Sequence, residues 1–257
     1  FLEHDFVLCA RNGSPLIIGR GKDEMFISSD PHAIREHTDQ LVALEDGQIA
    51  QVDAHQFQVM KVDGKKVKSS LLHLEEEWGE SELGDYPHFM LKEIHEQSQS
   101  LQHCISGRLR SAEGTSVLGG IQVQHQELAH LPHVRLIGCG TALHAAQIGQ
   151  VLIEQWARIP AVSHVASEFN ANDPVINPKA LHLAISQSGE TADTLSAVKE
   201  IQRKGADVYG IVNVVGSSIA RQCGKGVYIH SGPEQSVAST KAFTNMVAAL
   251  TIFATQL

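Results

Sequence analysis

Three short stretches of this sequence bring small polar side chains and glycine together: Gly138-Cys139-Gly140-Thr141, Ser186-Gln187-Ser188-Gly189-Glu190-Thr191, and residues 232–240 with Ser236, Val237, Ser239 and Thr240. A phosphate dianion needs hydroxyl donors, backbone N–H groups and glycines that let it approach the chain closely. Lysine and arginine are not required, because donors and the positive end of a helix dipole can carry the charge. Any one of these loops is also explained by helix capping, for which Ser and Thr are the preferred residue types. Three of them at one sheet edge point to a ligand.

Other chemistries fit less well. Gly138-Cys139-Gly140 opens like a dinucleotide-binding turn, but Leu143 stands at the third glycine position. No Gly-Lys-Ser/Thr run offers an NTPase phosphate loop. His125, His130 and His133 cluster without the H-E-x-x-H register of a zinc helix, and read as solvent-facing histidines around a helix end. Cys139 has no assignable histidine partner and reads as a small lining residue. Glu190, Glu234 and Lys241 are the titratable side chains near the loops; they read as favourable charge near a helix start or as solvated surface.

The loops need strands and helices to position them. Val134–Ile137, Ala161–Val165, Leu181–Ile185, Val208–Val212 and Val227–Ile229 read as strands. Helical runs near Leu143–Ala157, through Leu195, Val198 and Ile201, and from Val237 to Leu257 alternate with them. This is the pattern of an open, mostly parallel α/β sheet with helices on both faces, where ligands sit beyond the carboxyl ends of the strands. Upstream, a helix starting near Pro87 is expected to carry Met90, Leu91, Ile94, Ser98 and Leu101 on one apolar face, and 107–120 reads as loop. The first third is β-rich. Phe6–Cys9, Pro15–Gly19 and Met25–Ile27 read as strands, Phe57, Val59 and Val62 alternate, and Glu45-Asp46-Gly47 predicts a hairpin between Leu41–Leu44 and Gln48–Val52.

Charge supports a boundary between the two parts. Residues 1–90 hold 17 acidic and 8 basic side chains and the remainder 12 of each, within an overall net charge of −9. That balance argues against nucleic-acid or anionic-membrane partners. A length of 257 residues allows one or two domains at roughly 150 residues each. The division reads as 1–75, a linker at 76–88, and 89–257. Phe1–Asp5 lacks the features of a signal peptide and reads as a chain entered in its middle. Cys9, Cys104, Cys139 and Cys223 are widely spaced, as in a reducing cytoplasm.

Ser186–Thr194 resembles the signature of the sugar isomerase (SIS) domain, and 138–141 and 237–244 are similar to its other two substrate loops. Ala10–Gly19 and His88–Gln97 extend the resemblance to the isomerising glutamine–fructose-6-phosphate aminotransferases, with residues 1–75 similar to the end of their N-terminal-nucleophile glutaminase domain. The resemblance implies transfer of ammonia from glutamine to fructose 6-phosphate to give glucosamine 6-phosphate, the first step of amino-sugar biosynthesis. It implies no cofactor and no metal, and a homo-oligomer, a dimer, when complete. Ser186, Gln187, Ser188 and Thr191 would hold the sugar phosphate; Cys139, Gly140, Thr141, Val237 and Ser239 would line the sugar site. No catalytic residue is assigned within this chain. The nucleophilic cysteine is expected upstream of Phe1 and a second SIS half beyond Leu257, so this stretch alone is expected to be inactive.

Two departures stand out. Ala142 replaces the family's usual Ser and deletes a hydroxyl near the phosphate. Glu168-Phe169-Asn170 stands where the family has a Glu-Phe-Arg-like stretch, which argues against a local ion pair there. A sugar-phosphate sensor or a deaminating sugar-phosphate isomerase would also use an SIS domain. The missing basic helix-turn-helix pattern argues against the first, and residues 1–75 against the second.

Overall fold

Residues 134–138, 181–186 and 208–212 are buried along nearly their whole length, as central parallel strands covered on both faces must be, whereas residues 48–53 in the first part alternate. The computed structural model describes residues 5–12, 16–29, 31–34, 37–69, 72–73, 83–121 and 130–257, and the chain divides into two units, Phe1–Ser81 and Glu82–Leu257.

In the first unit β1 (Phe6–Ala10), β2 (Ile17–Arg20), β3 (Met25–Ser28), β4 (Gln40–Ala43), β5 (Gln48–Asp53), β6 (Phe57–Lys61) and β7 (Leu72–His73) form two antiparallel sheets, ordered β1-β5-β6 and β3-β2-β4-β7. Ile18, Val42 and Leu44 meet Ala50, Val52 and Val59 in one apolar cluster between them. The expected hairpin around Asp46-Gly47 is therefore corrected. The turn exists, with the Gln48 N–H donating to the Glu45 carbonyl at 3.1 Å, but β4 and β5 belong to different sheets. Apolar residues on both sides of the turn face one core from opposite walls, which a shared ladder would not allow. The real hairpin is β5–β6. Asp53 closes it, its Oδ1 accepting the N–H groups of His55 and Gln56 at 2.8 Å.

The second unit begins with α1 (Phe89–Ile105), capped by the His88 Nδ1, which accepts the Leu91 N–H at 3.2 Å. Its expected apolar face is also corrected. Met90 and Ile94 are exposed, while Glu93, Ser100 and Cys104 are buried. The inward face is polar because its partners are polar: Ser100 Oγ and Oδ1 of Asn245 lie 3.3 Å apart, and the Asn245 amide donates to the Ser100 carbonyl at 3.0 Å. Between Gly107 and Gly120, a two-strand ribbon of β8 (Leu109–Arg110) and β9 (Thr115–Ser116) stands where a loop was expected. Of the expected linker, residues 76–82 lie outside the described residues, as do Pro15 and His125.

The main sheet contains β10 (Val134–Gly138), β11 (Ala161–Val165), β12 (Leu181–Ser186), β13 (Val208–Val212) and β14 (Gly226–Tyr228), all parallel, in the order β11-β10-β12-β13-β14. Leu136, Leu183 and Ile185 point to one face, where α2 (Thr141–Leu152) and α6 (Lys241–Gln256) pack. Ile137 and Ala184 point to the other, under α3 (Ala166–Phe169), α4 (Ala192–Arg203) and α5 (Ser218–Cys223). Helices cover both faces, as the alternating pattern requires. Gly149 lets α2 and α6 approach closely, since a Cβ there would meet Leu250 Cδ1 at 2.9 Å. Beyond Leu152 the helix continues to Ala157 as a π turn.

Candidate functional site

Strand register sets the site. Ile137 pairs with Ala184, Ser186 with Val212, and Val212 with Tyr228, so β10, β12, β13 and β14 all present their carboxyl ends at one edge. Because β10 and β12 are neighbours, 138–141 and 186–191 lie side by side. The fit is tight: a Cβ on Gly138 would stand 3.2 Å from the Ile185 carbonyl oxygen. Gly140 then turns the chain into α2 with φ 55° and ψ −131°, a conformation that side chains resist.

Residues 186–191 shape themselves. Ser186, 2% exposed, accepts the Gly189 N–H at 3.0 Å and shares a hydrogen bond of 3.0 Å with Thr191 Oγ1. Ser188 Oγ accepts the Glu190 N–H at 3.1 Å, which leaves its own O–H free to donate outward. Gly189 has φ 66°, and a Cβ there would collide with Ser217 Oγ at 2.0 Å. Gln187, Ser188 and Thr191 remain partly exposed at the rim. Capping does not account for the small polar residues at these two loops. Neither α2 nor α4 receives a side-chain cap, so both helix starts keep their dipole for a ligand, although the Ala142 and Leu143 N–H groups of α2 bond back to the carbonyls of Cys139 and Gly140.

The third loop is stapled from within. Glu234 accepts the Thr240 N–H at 2.9 Å, the Ala242 N–H at 3.1 Å and the Ser239 hydroxyl at 2.8 Å. Ser239 Oγ also accepts the Phe243 N–H at 3.2 Å, so its hydroxyl serves the loop and α6. Val237 is fully exposed. From below, Glu93 of α1, 1% exposed, accepts the N–H groups of Gln235 at 2.6 Å and Ser236 at 3.2 Å, and the Ser236 hydroxyl as well.

Asn213 ties the second loop to the third. Its N–H donates to the Gln187 carbonyl at 3.2 Å, its side-chain amide donates to Gly232 at 2.8 Å, and its Oδ1 accepts the Ser231 N–H at 2.9 Å. Sequence reading missed both Asn213 and Glu93. Asn213 could have been suspected as the first polar residue past a strand at this edge; Glu93 carried no such signal.

The titratable neighbours are mostly committed; Glu190 Oε2 alone among their side-chain oxygens is buried without a partner. Glu190 Oε1 accepts the Ser218 N–H of α5 at 2.7 Å. Lys241 is not solvated, as its type suggests, but 5% exposed and paired with Glu96 at 2.5 Å. Burial pushes the Glu96 carboxyl up, but the hydrogen bond and charge of Lys241, helped by Lys92, outweigh that and hold it below its usual value. Ala142 is buried among apolar residues of α2, and Asn170 donates to Ser196 Oγ at 2.6 Å. His133 is only half-buried, but its Nε2 is shielded, which corrects the solvent-facing reading. Among the described residues no cluster of three or more His, Cys, Asp or Glu could hold a metal, and no helix is long and apolar enough to cross a membrane.

A parallel sheet with three hydroxyl- and amide-lined loops at its carboxyl edge defines an open α/β protein with a candidate ligand site at that edge. The SIS domain family matches residues 127–256, and the chain belongs to that family. Within it, the chain is 44% identical over 254 residues to the isomerising glutamine–fructose-6-phosphate aminotransferase of Bacteroides thetaiotaomicron, covering 98% of this chain and 41% of that protein. The Chlorobaculum tepidum enzyme of the same name is 44% identical over 252 residues, with the same coverage. Among solved structures, the C-terminal domain of glucosamine-fructose-6-phosphate aminotransferase from Francisella tularensis superposes with a TM-score of 0.61 at 34% identity, over 68% of this chain and 49% of that one. The chain thus spans about 41% of the length of these curated relatives.

Proposed function

We propose that this chain carries the sugar-phosphate-binding function of an isomerising glutamine–fructose-6-phosphate aminotransferase, which makes glucosamine 6-phosphate from fructose 6-phosphate and glutamine. The observation that carries this reading is the pair of uncapped helix starts at 138–141 and 186–191, side by side on one sheet edge. Ser188 and Thr191 hydroxyls, the Gln187 amide and the amides opening α4 hold the phosphate. Cys139, Gly140, Thr141 and the backbone about Val237 and Ser239 line the sugar.

Residues 1–75 are proposed as the end of a glutaminase domain, 76–88 as a linker and 89–257 as the first SIS domain. Their glutamine chemistry, and assembly as a dimer, would belong to the complete polypeptide. Four unpaired thiols fit a cytoplasmic setting.

Calorimetry tests the substrate class. Fructose 6-phosphate is expected to bind saturably and fructose not at all. Equal heats for the two sugars would refute the reading.

A further inference from the structure

On the α4 face of the sheet lies a cavity of about 360 Å³ that runs from Arg135, about 10 Å along β10 from Gly138, up to His164 and Val165, the β11 partners of Ile137 and Gly138. Its walls include Arg135, His164, Glu168, Phe169, Pro174 and Val175. Arg135 is 8% exposed. Nη1 and Nη2 both donate to the Val175 carbonyl at 3.2 Å, and Nε has no partner. Among the described residues no carboxylate lies within ion-pair distance of this guanidinium. Glu168, at the exposed mouth, takes the Ser167 hydroxyl at 3.5 Å instead. A buried cation without a counter-charge is costly, and the cavity beside it has room for one.

The surroundings repeat the pattern. His164 Nε2, His182 Nδ1 and His133 Nε2 are buried without partners. Burial, with Arg135 adding repulsion, lowers the pKa of all three, and His182, which also contacts the Asn177 carbonyl, is pushed down to about 4. At neutral pH these imidazoles are uncharged, so Arg135 is the cluster's one cation. Asn172 adds an amide, and Phe169, Val165, Pro174 and Val175 are apolar: Phe169 sits 5.7 Å under the guanidinium and edge-on to His164 at 5.6 Å, and Val175 is 87% exposed at the rim.

We propose that this cavity binds a small organic anion, a carboxylate or phosphate monoester on a flat apolar body. The anionic head supplies the counter-charge that the Arg135 guanidinium lacks, with His164 beside it. The body lies against Phe169 and covers Val175. The cavity shares no lining residue with the sugar-phosphate loops, and the proposal does not depend on their assignment.

The test is a titration of the ¹⁵N-labelled chain with benzoate and phenyl phosphate, with benzamide as the neutral isostere and inorganic phosphate as a head without a body. Resonances of Arg135 Nε and the His164 imidazole report on the site. Benzoate or phenyl phosphate is expected to shift them saturably, whichever binds more tightly identifying the head group, while benzamide leaves them unmoved. Arg135→Met is expected to weaken binding about ten-fold or more. Saturating fructose 6-phosphate is expected to leave the response intact. Benzamide shifts as large as those of the anions would overturn the proposal, as would inorganic phosphate binding as tightly as both organic anions. The comparison of benzoate with benzamide is made in the unsubstituted chain and stands whether or not Arg135→Met folds.

Discussion

The carboxylate of Glu93 meets the backbone N–H of Gln235 at 2.6 Å, although 142 residues separate them. Through this contact and its bonds to Ser236, α1 fixes the loop that opens α6. Glu93→Ala takes the acceptor from two part-buried amides and a hydroxyl and is expected to destabilise the chain by about 1–3 kcal/mol. Glu93→Gln keeps one acceptor oxygen and should lose less. Urea unfolding of both variants checks the order; equal losses would mean that the acceptor is not what matters.

Gly189→Ala places a Cβ 2.0 Å from Ser217 Oγ in a residue with φ 66°. Backbone strain alone is worth about 1–3 kcal/mol, and relieving the collision must move 186–191 or α5. Fructose 6-phosphate binding is expected to disappear while the far-UV spectrum stays that of a folded chain. Unchanged affinity would show that this loop does not hold the phosphate.

Ser188→Ala removes the outward hydroxyl and should weaken fructose 6-phosphate binding by about 1.5–3 kcal/mol, the range for a hydrogen bond to a charged group. Calorimetry measures it directly. Affinity equal to that of the unsubstituted chain would reduce Ser188 to its bond with the Glu190 N–H.

His182 makes the chain acid-sensitive. Burial holds its imidazole at about 4, against the pull of the Asn177 carbonyl, with Arg135 and His133 adding repulsion. Above the unfolded value of 6.5 both states are neutral. As pH falls below 6.5 the unfolded chain binds a proton that the folded one refuses, and stability drops until about pH 4, by up to about 3 kcal/mol. Urea midpoints at pH 7.5 and 4.5 are expected to differ less in His182→Leu, and an identical difference would remove His182 from the account. His133 and His164 shift in the same direction and contribute to the residual slope.

What the sequence revealed follows from how local each signal was. The five main strands and the loops after them were legible because parallel βα units write their order directly into alternating apolar runs and small polar turns. Long-range pairings were not. Glu45-Asp46-Gly47 forms the turn its residues predict, but which sheet β4 and β5 join depends on a core shared by Ile18 and Val59. The face of α1 misled for a similar reason: Glu93, Gln97 and Ser100 turn inward because α6 and its loop offer polar partners far along the chain. Asn213 was invisible as a link until Gln187 and Gly232 were seen on either side of it.

The chain alone is expected to turn over neither glutamine nor fructose 6-phosphate. Glu234 and Lys241 are held by other groups, and Glu190 is held through one oxygen by the Ser218 N–H while the other is buried. Cys9 lies within β1, and its burial pushes the thiol up, against a backbone hydrogen bond to Ala50. Glutamate release or glucosamine 6-phosphate above a no-enzyme control would contradict this.

The location of the sugar phosphate is tested most directly by backbone amide spectra of the chain during titration with fructose 6-phosphate, with fructose as the control. The largest shifts are expected at 139–141, 187–191 and 237–241, saturating together, with fructose producing none of them. Shifts centred elsewhere in the chain, or equally large with fructose, would contradict the assignment of these loops.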